Sequence, residues 1–102
     1  GEFERAIEDL DEAIRLDPRV AMSYGNRGFA YYNLGEFERA IEDYDEAIRL
    51  DPQDAVAYVL RAMAYTLLNM DSAAQQDIDR AIELGFAPAF LEQLIEELKG
   101  LR

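Results

Sequence analysis

A chain of 102 residues that is 50% apolar and 31% charged carries enough apolar side chain for one continuous core, but is too short for a deep catalytic cavity plus a separate cofactor platform. Its net charge of −12, from 22 Asp and Glu against 10 Lys and Arg, repels phosphate backbones and anionic lipid, so nucleic acid and membrane are set aside as partners. With no Cys and no His, disulfides, thiol nucleophiles, imidazole bases and the commonest zinc ligands drop out together, and most enzyme mechanisms, metals and cofactors with them.

The first predicted helix covers residues 2 to 16, where Phe3, Ala6, Ile7, Leu10 and Ile14 recur at steps of three and four with charged residues between them. Asp17-Pro18 stops it, because the residue before a proline is pushed away from helical angles. A second kind of helix follows over 21 to 33, with Tyr24, Gly28, Tyr31 and Leu34 on one face and Gly35 as a left-handed cap.

Residues 35 to 52, GEFERAIEDYDEAIRLDP, then repeat residues 1 to 18 with a single change, Leu10 to Tyr44, at an offset of 34. Phe37, Ala40, Ile41, Tyr44, Ala47 and Ile48 form the helical stripe, and Arg39 with Asp43 and Asp45 with Arg49 are four apart, each pair worth about 0.2–0.5 kcal/mol. Asp51-Pro52 ends this helix, and 55 to 68 is a helix of the second kind with Tyr58, Ala62, Tyr65 and Leu68 on one face. A third, diverged copy, NMDSAAQQDIDRAIELGF, begins at residue 69 and keeps Ala74 and Ala81 in step with Ala40 and Ala47. Pro88 opens a last helix, 88 to 99, with Phe90, Leu91, Leu94, Ile95 and Leu98 on one side and Glu92, Gln93, Glu96, Glu97 and Lys99 on the other; it reads as a lid that lets a repeat stack end in water. The helix at 2 to 16 has no hairpin partner, so its apolar face needs cover from upstream sequence or from another copy of the chain, as a dimer or a head-to-tail stack.

The pattern resembles the tetratricopeptide repeat family. Residues 21 to 54 carry it best, with Tyr24 in the tryptophan slot followed by Gly28, Tyr31, Gly35, Phe37, Ala40, Tyr44, Ala47 and Pro52. The third copy departs at Ala62, Asn69, Asp71, Ile78 and Gly85-Phe86, which leaves the hairpin intact and changes the expected loop after residue 84. The implied fold is all-α: a right-handed superhelical stack of antiparallel helix hairpins, in one domain of residues 1–102. Residues 1–20 would be a half repeat with the second helix only, 21–54 and 55–88 full repeats, and 89–102 a capping helix. Physical reasoning agrees, since Gly28, Ala40 and Ala47 are small where helices must approach closely and Tyr24, Tyr31 and Tyr44 fill the space between them.

In that family the first helix of each hairpin lines a concave groove. The corresponding positions here are Met22, Gly25, Asn26, Phe29, Tyr32 and Asn33, then Val56, Val59, Met63, Thr66 and Leu67, an apolar set suited to adaptable peptide contact. Family members that bind chaperones grip a terminal carboxylate with Lys, Arg and Asn. Only Asn26 fits such a clamp, and Val56 and Leu60 stand where cations would be wanted, so a largely apolar segment is the expected ligand. The expected role is a protein-interaction scaffold for a protein or peptide partner; a self-assembling structural module and the targeting arm of a larger enzyme are the alternatives.

The Asp-x-Asp pairs, Asp9 with Asp11, Asp43 with Asp45 and Asp77 with Asp79, point to different helix faces and read as solvated surface, not a metal site. Ser23, Ser72, Thr66 and the tyrosines have no base beside them in the pattern, so no catalysis is expected. No apolar run approaches the roughly eighteen residues of a membrane span, and the N-terminus has no signal-peptide pattern. The sequence opens inside a repeat and reads as a fragment. Lack of cysteine suits cytosol and periplasm alike, with the cytoplasm ranked first.

Overall fold

The computed structural model describes residues 1–102, and it holds six helices and no strand. They fall where the apolar spacing places them and divide into two compact units, Gly1–Pro52 and Gln53–Arg102.

The first unit contains α1 (Glu2–Leu16), α2 (Ala21–Asn33) and α3 (Phe37–Leu50). Acidic residues sit in the first turns of α1 and α3 and an arginine in the last turn of each, complementing the helix dipole. Each of these helices ends in a non-helical aspartate ahead of its proline, Asp17 at φ −148° and Asp51 at φ −141°. The Tyr24 hydroxyl donates to the Pro18 carbonyl at 2.9 Å and so fixes the turn between α1 and α2. Helix α2 ends differently. Gly35 adopts φ +76°, Glu36 N–H donates to Tyr31 O at 2.9 Å and Gly35 N–H to Tyr32 O at 3.0 Å, the paired bonds of a left-handed helix stop.

Helix α2 lies between α1 and α3 and contacts both. It approaches α3 tightly at Gly28, where an added Cβ would stand 2.7 Å from Tyr44 Cε1 and 3.2 Å from the Ala40 carbonyl oxygen. Ala40, Tyr44 and Ala47 are buried, which matches the small and large residues read from the repeat. The Tyr44 ring fills this joint completely, but its hydroxyl has no hydrogen-bond partner. Burial, the main cause, pushes the Tyr44 phenol well above its usual range.

The second unit contains α4 (Ala55–Leu67), α5 (Asp71–Glu83) and α6 (Pro88–Lys99). Asp54 caps α4 by accepting from Val56 N–H at 3.0 Å. The stop between α4 and α5 repeats that of α2, with Asn69 at φ 62° in the place of glycine, a conformation asparagine tolerates. Gly85 at φ +112° ends α5 in the same way, with Phe86 N–H donating to Ala81 O at 3.0 Å, so the diverged Gly85-Phe86 does replace an extended Asp-Pro end by a left-handed one.

Helix α6 packs against α4. Leu91 and Leu98 are buried and Leu94 and Ile95 half-buried, but Phe90 stays exposed beside Phe86, ring centroids 6.1 Å apart, and does not join the packed side as expected. The Arg102 guanidinium ties the end of this segment back, donating to Thr66 O at 2.9 Å and to Asp71 Oδ2 at 3.0 Å.

Candidate functional site

Within each unit the first helix of the hairpin is the element whose residues are divided between packing and solvent. On α2, Gly28 and Ala30 are buried, and the opposite strip presents Met22, Asn26, Phe29 and Asn33, spaced four, three and four apart, all exposed. Met22 is 72% and Phe29 45% exposed, high values for large apolar side chains. Gly25 flanks this strip, and a Cβ there would meet nothing within 4 Å, so no packing demand explains the glycine. Tyr32 on the other flank is half-buried in an edge-to-face contact with Phe37, centroids 5.4 Å apart, and burial pushes its phenol up. The Asn33 amide donates to the Phe29 carbonyl at 2.8 Å, which orients the end of the strip.

The matching positions on α4 are placed differently. Val56 is 51% exposed and Met63 and Leu67 are half-buried, but Val59 is only 6% exposed and Thr66 is fully buried. Thr66 Oγ1 donates to the Ala62 carbonyl at 2.8 Å, and the residue borders a small cleft with Ala74, Ile78 and Ile95. Val59 and Thr66 therefore offer no side-chain surface to a ligand. The difference from α2 follows the packing of α6 on α4, and α4 buries six residues where α2 buries two. A larger cleft of about 450 Å³ lies between α5 and α6, lined by Ile78, Ile82, Leu91 and Ile95 and rimmed by Asp79, Glu92 and Glu96.

The aspartates of the repeated pairs are not uniformly solvated. Asp43 and Asp77 are buried, and each carboxylate is gripped from the preceding helix by an arginine sixteen residues earlier. Arg27 Nε and Nη2 donate to Asp43 at 2.9 and 2.7 Å, and Arg27 Nη1 donates to Asp11 at 2.9 Å, so one guanidinium joins all three helices of the first unit. Arg61 holds Asp77 with the same fork at 2.8 and 2.7 Å. Chiefly through the Asp43 bonds, Arg27 is held protonated even more firmly than an ordinary arginine.

The neighbour pairs expected along α3 also differ. Arg39 pairs with Glu36 at 3.5 Å and lies over the Tyr31 ring, while Arg49 pairs with Glu46. A spacing of four was available to both arginines, but Asp43 is occupied across the hairpin and the three-residue spacing to Glu46 gives Arg49 a two-nitrogen fork. No group of three acidic residues is placed to hold a metal ion. No helix is long and apolar enough to cross a membrane.

The model of the tetratricopeptide repeat family matches residues 1–65. The chain belongs to this family. Solved structures with the same fold include the second tetratricopeptide domain of Spaghetti (RPAP3) bound to the HSP90 peptide SRMEEVD, which is 34% identical with a TM-score of 0.80 over 82% of this chain and 78% of that one. The TPR2B domain of yeast Sti1 in its pHsp70 complex is 27% identical, with a TM-score of 0.84 over 99% and 86%. The tetratricopeptide domain of Arabidopsis OM64 is 26% identical, with a TM-score of 0.87 over 97% and 82%. No curated protein sequence matches the chain.

Proposed function

We propose that the chain is a protein-interaction scaffold whose α2 strip, Met22, Gly25, Asn26, Phe29, Tyr32 and Asn33, docks a largely apolar peptide segment of a partner protein. The observation that carries this is the exposure of Met22 and Phe29 on a helix whose other side is packed. Val56, Met63 and Leu67 on α4 offer a narrower strip of the same character. Peptide recognition is supported by structural neighbours that hold chaperone peptides.

The acidic character of a peptide such as SRMEEVD is another matter. The α2 strip carries no cation, Arg27 is already committed to Asp43 and Asp11, and the chain has a net charge of −12. An apolar segment gains by covering Met22 and Phe29 and meets no such repulsion.

The test is a fluorescence titration with two labelled peptides, SRMEEVD and an uncharged, Leu- and Phe-rich peptide of equal length. The apolar peptide is expected to bind and to lose affinity at least tenfold on Phe29→Ala. Equal or tighter binding of SRMEEVD, or indifference to Phe29→Ala, would overturn the assignment.

A further inference from the structure

Helix α6 does more than cover α4. Leu91 and Leu98 are buried, but Phe90, Gln93, Leu94 and Glu97 run along another side of the helix and line a hollow of about 190 Å³. Phe90 is 57% exposed, a high value for an aromatic ring, and Phe86 lies beside it. This strip is made of departures from the repeat. Phe86 stands where the earlier copies have Pro18 and Pro52, and Glu97 stands where α2 and α4 have Phe29 and Met63.

The polar end of the hollow has acceptors and no cation. Gln93 Nε2 donates to Glu97 Oε1 at 3.3 Å, and Glu97 enters none of the chain's ion pairs. The second unit cannot supply one, because each of its cations is engaged: Arg61 with Asp77, Arg80 with Glu83, Lys99 with Glu96 and Arg102 with Asp71. With its amide nitrogen turned to Glu97, Gln93 keeps its carbonyl oxygen as an acceptor on the turn preceding Glu97 Oε2. A guanidinium has the forked donors to serve both oxygens, and its aliphatic stem can lie over the half-buried Leu94, whereas an ammonium brings a point charge.

We propose that this strip is a second docking site, which takes an arginine of an extended partner segment on Glu97 and Gln93 and an aromatic residue of the same segment on Phe90. Charge complementarity selects the cation. The hollow suits one or two side chains and not a whole helix, whose diameter is about 10–12 Å, so the segment is extended. Phe90 and Glu97 are seven residues apart on a helix, about 10.5 Å, which an extended chain spans in about three residues. The aromatic residue and the arginine are therefore three apart.

The test titrates the isotope-labelled full chain with a capped seven-residue peptide, phenylalanine second and arginine fifth among glycine, alanine and serine, followed by amide chemical shifts. Shifts should concentrate on residues 86 to 97. Glutamine in place of the arginine should weaken binding about tenfold, and lysine about threefold. Moving the arginine next to the phenylalanine should also cost about threefold, which separates a fitted site from general attraction to an acidic chain. Glu97→Arg should transfer the preference to a peptide with glutamate in place of arginine, a rescue that a damaged helix would not give. Phe29→Ala should leave the titration unchanged, so this site stands or falls apart from the α2 strip. Shifts spread over α1 and α3, equal binding of the lysine or rearranged peptide, or no charge-reversal rescue would overturn the proposal. So would light scattering that shows a dimer abolished by Glu97→Arg, which would give the strip to a second copy.

Discussion

Two glycines three residues apart on α2 provide an internal control for what close packing is worth. Alanine is the better helix former by about 0.8–1.0 kcal/mol, so each substitution starts with that gain. At position 25 nothing opposes it, since the new methyl would meet no atom within 4 Å, and Gly25→Ala should stabilise by about 0.5–1 kcal/mol. At position 28 the methyl would enter within 2.7 Å of Tyr44 Cε1 and 2.9 Å of Cδ1, with the Ala40 carbonyl at 3.2 Å. Tyr44 is fully enclosed and has nowhere to retreat, so overpacking should cost roughly 1–3 kcal/mol and outweigh the propensity gain. Urea unfolding followed by circular dichroism at 222 nm measures both variants. The difference between them removes propensity and leaves the contact, expected at roughly 1–3 kcal/mol. Adding Tyr44→Ile to Gly28→Ala reproduces the residue types at the equivalent buried positions of the next hairpin, Ile78 and Ala62, and should recover part of the loss. If the two glycine variants agree within about 0.5 kcal/mol, the tight joint at Gly28 is not a determinant of stability.

Tyr44→Phe should raise stability by about 1 kcal/mol, because it removes a buried hydroxyl that has no partner and keeps the ring; a lower urea midpoint would show that the hydroxyl is satisfied in solution. Asp43→Ala should cost about 2–4 kcal/mol, somewhat under the range for a fully buried pair because the Arg27 side chain is 22% exposed, and a double-mutant cycle with Arg27→Met should recover much of the loss. The Arg102 hydrogen bond, the largest cause, holds Asp71 below its ordinary value. Its contribution is therefore complete above the usual aspartate range and is lost as pH falls through the depressed value. Amide shifts of Lys99 to Arg102 should titrate with Asp71, and Asp71→Asn should abolish that transition.

Much of the architecture was legible because the repeat states each rule more than once. Apolar spacing, Asp-Pro stops and Gly35 fixed the helix limits, and the small residues at 28, 40 and 47 pointed to the close joints. The buried ion pairs were missed because an aspartate on an amphipathic helix looks the same whether it meets water or a guanidinium. A signal was present: Arg27 to Asp43 and Arg61 to Asp77 share a separation of sixteen residues, and each pair recurs at the repeat length. Local periodicity could not supply it, since the partners lie on different helices. Val59 and Thr66 were misplaced for a related reason: their burial accompanies α6 lying against α4, a contact between segments distant in sequence. Phe90 shows the converse, an apolar residue in helical step that nonetheless remains in solvent against Phe86.

The near duplication of α1 and α3 also poses a problem for the chain as it folds. Two almost interchangeable segments flank α2, each offering the same charges and nearly the same apolar stripe to its seat. Among their side chains only the bulk opposite Gly28 tells the candidates apart: a leucine is smaller than the hollow, whereas the phenol ring closes it. One aromatic side chain thus serves as the key that sorts a correct chain trace from its mirror-order impostor.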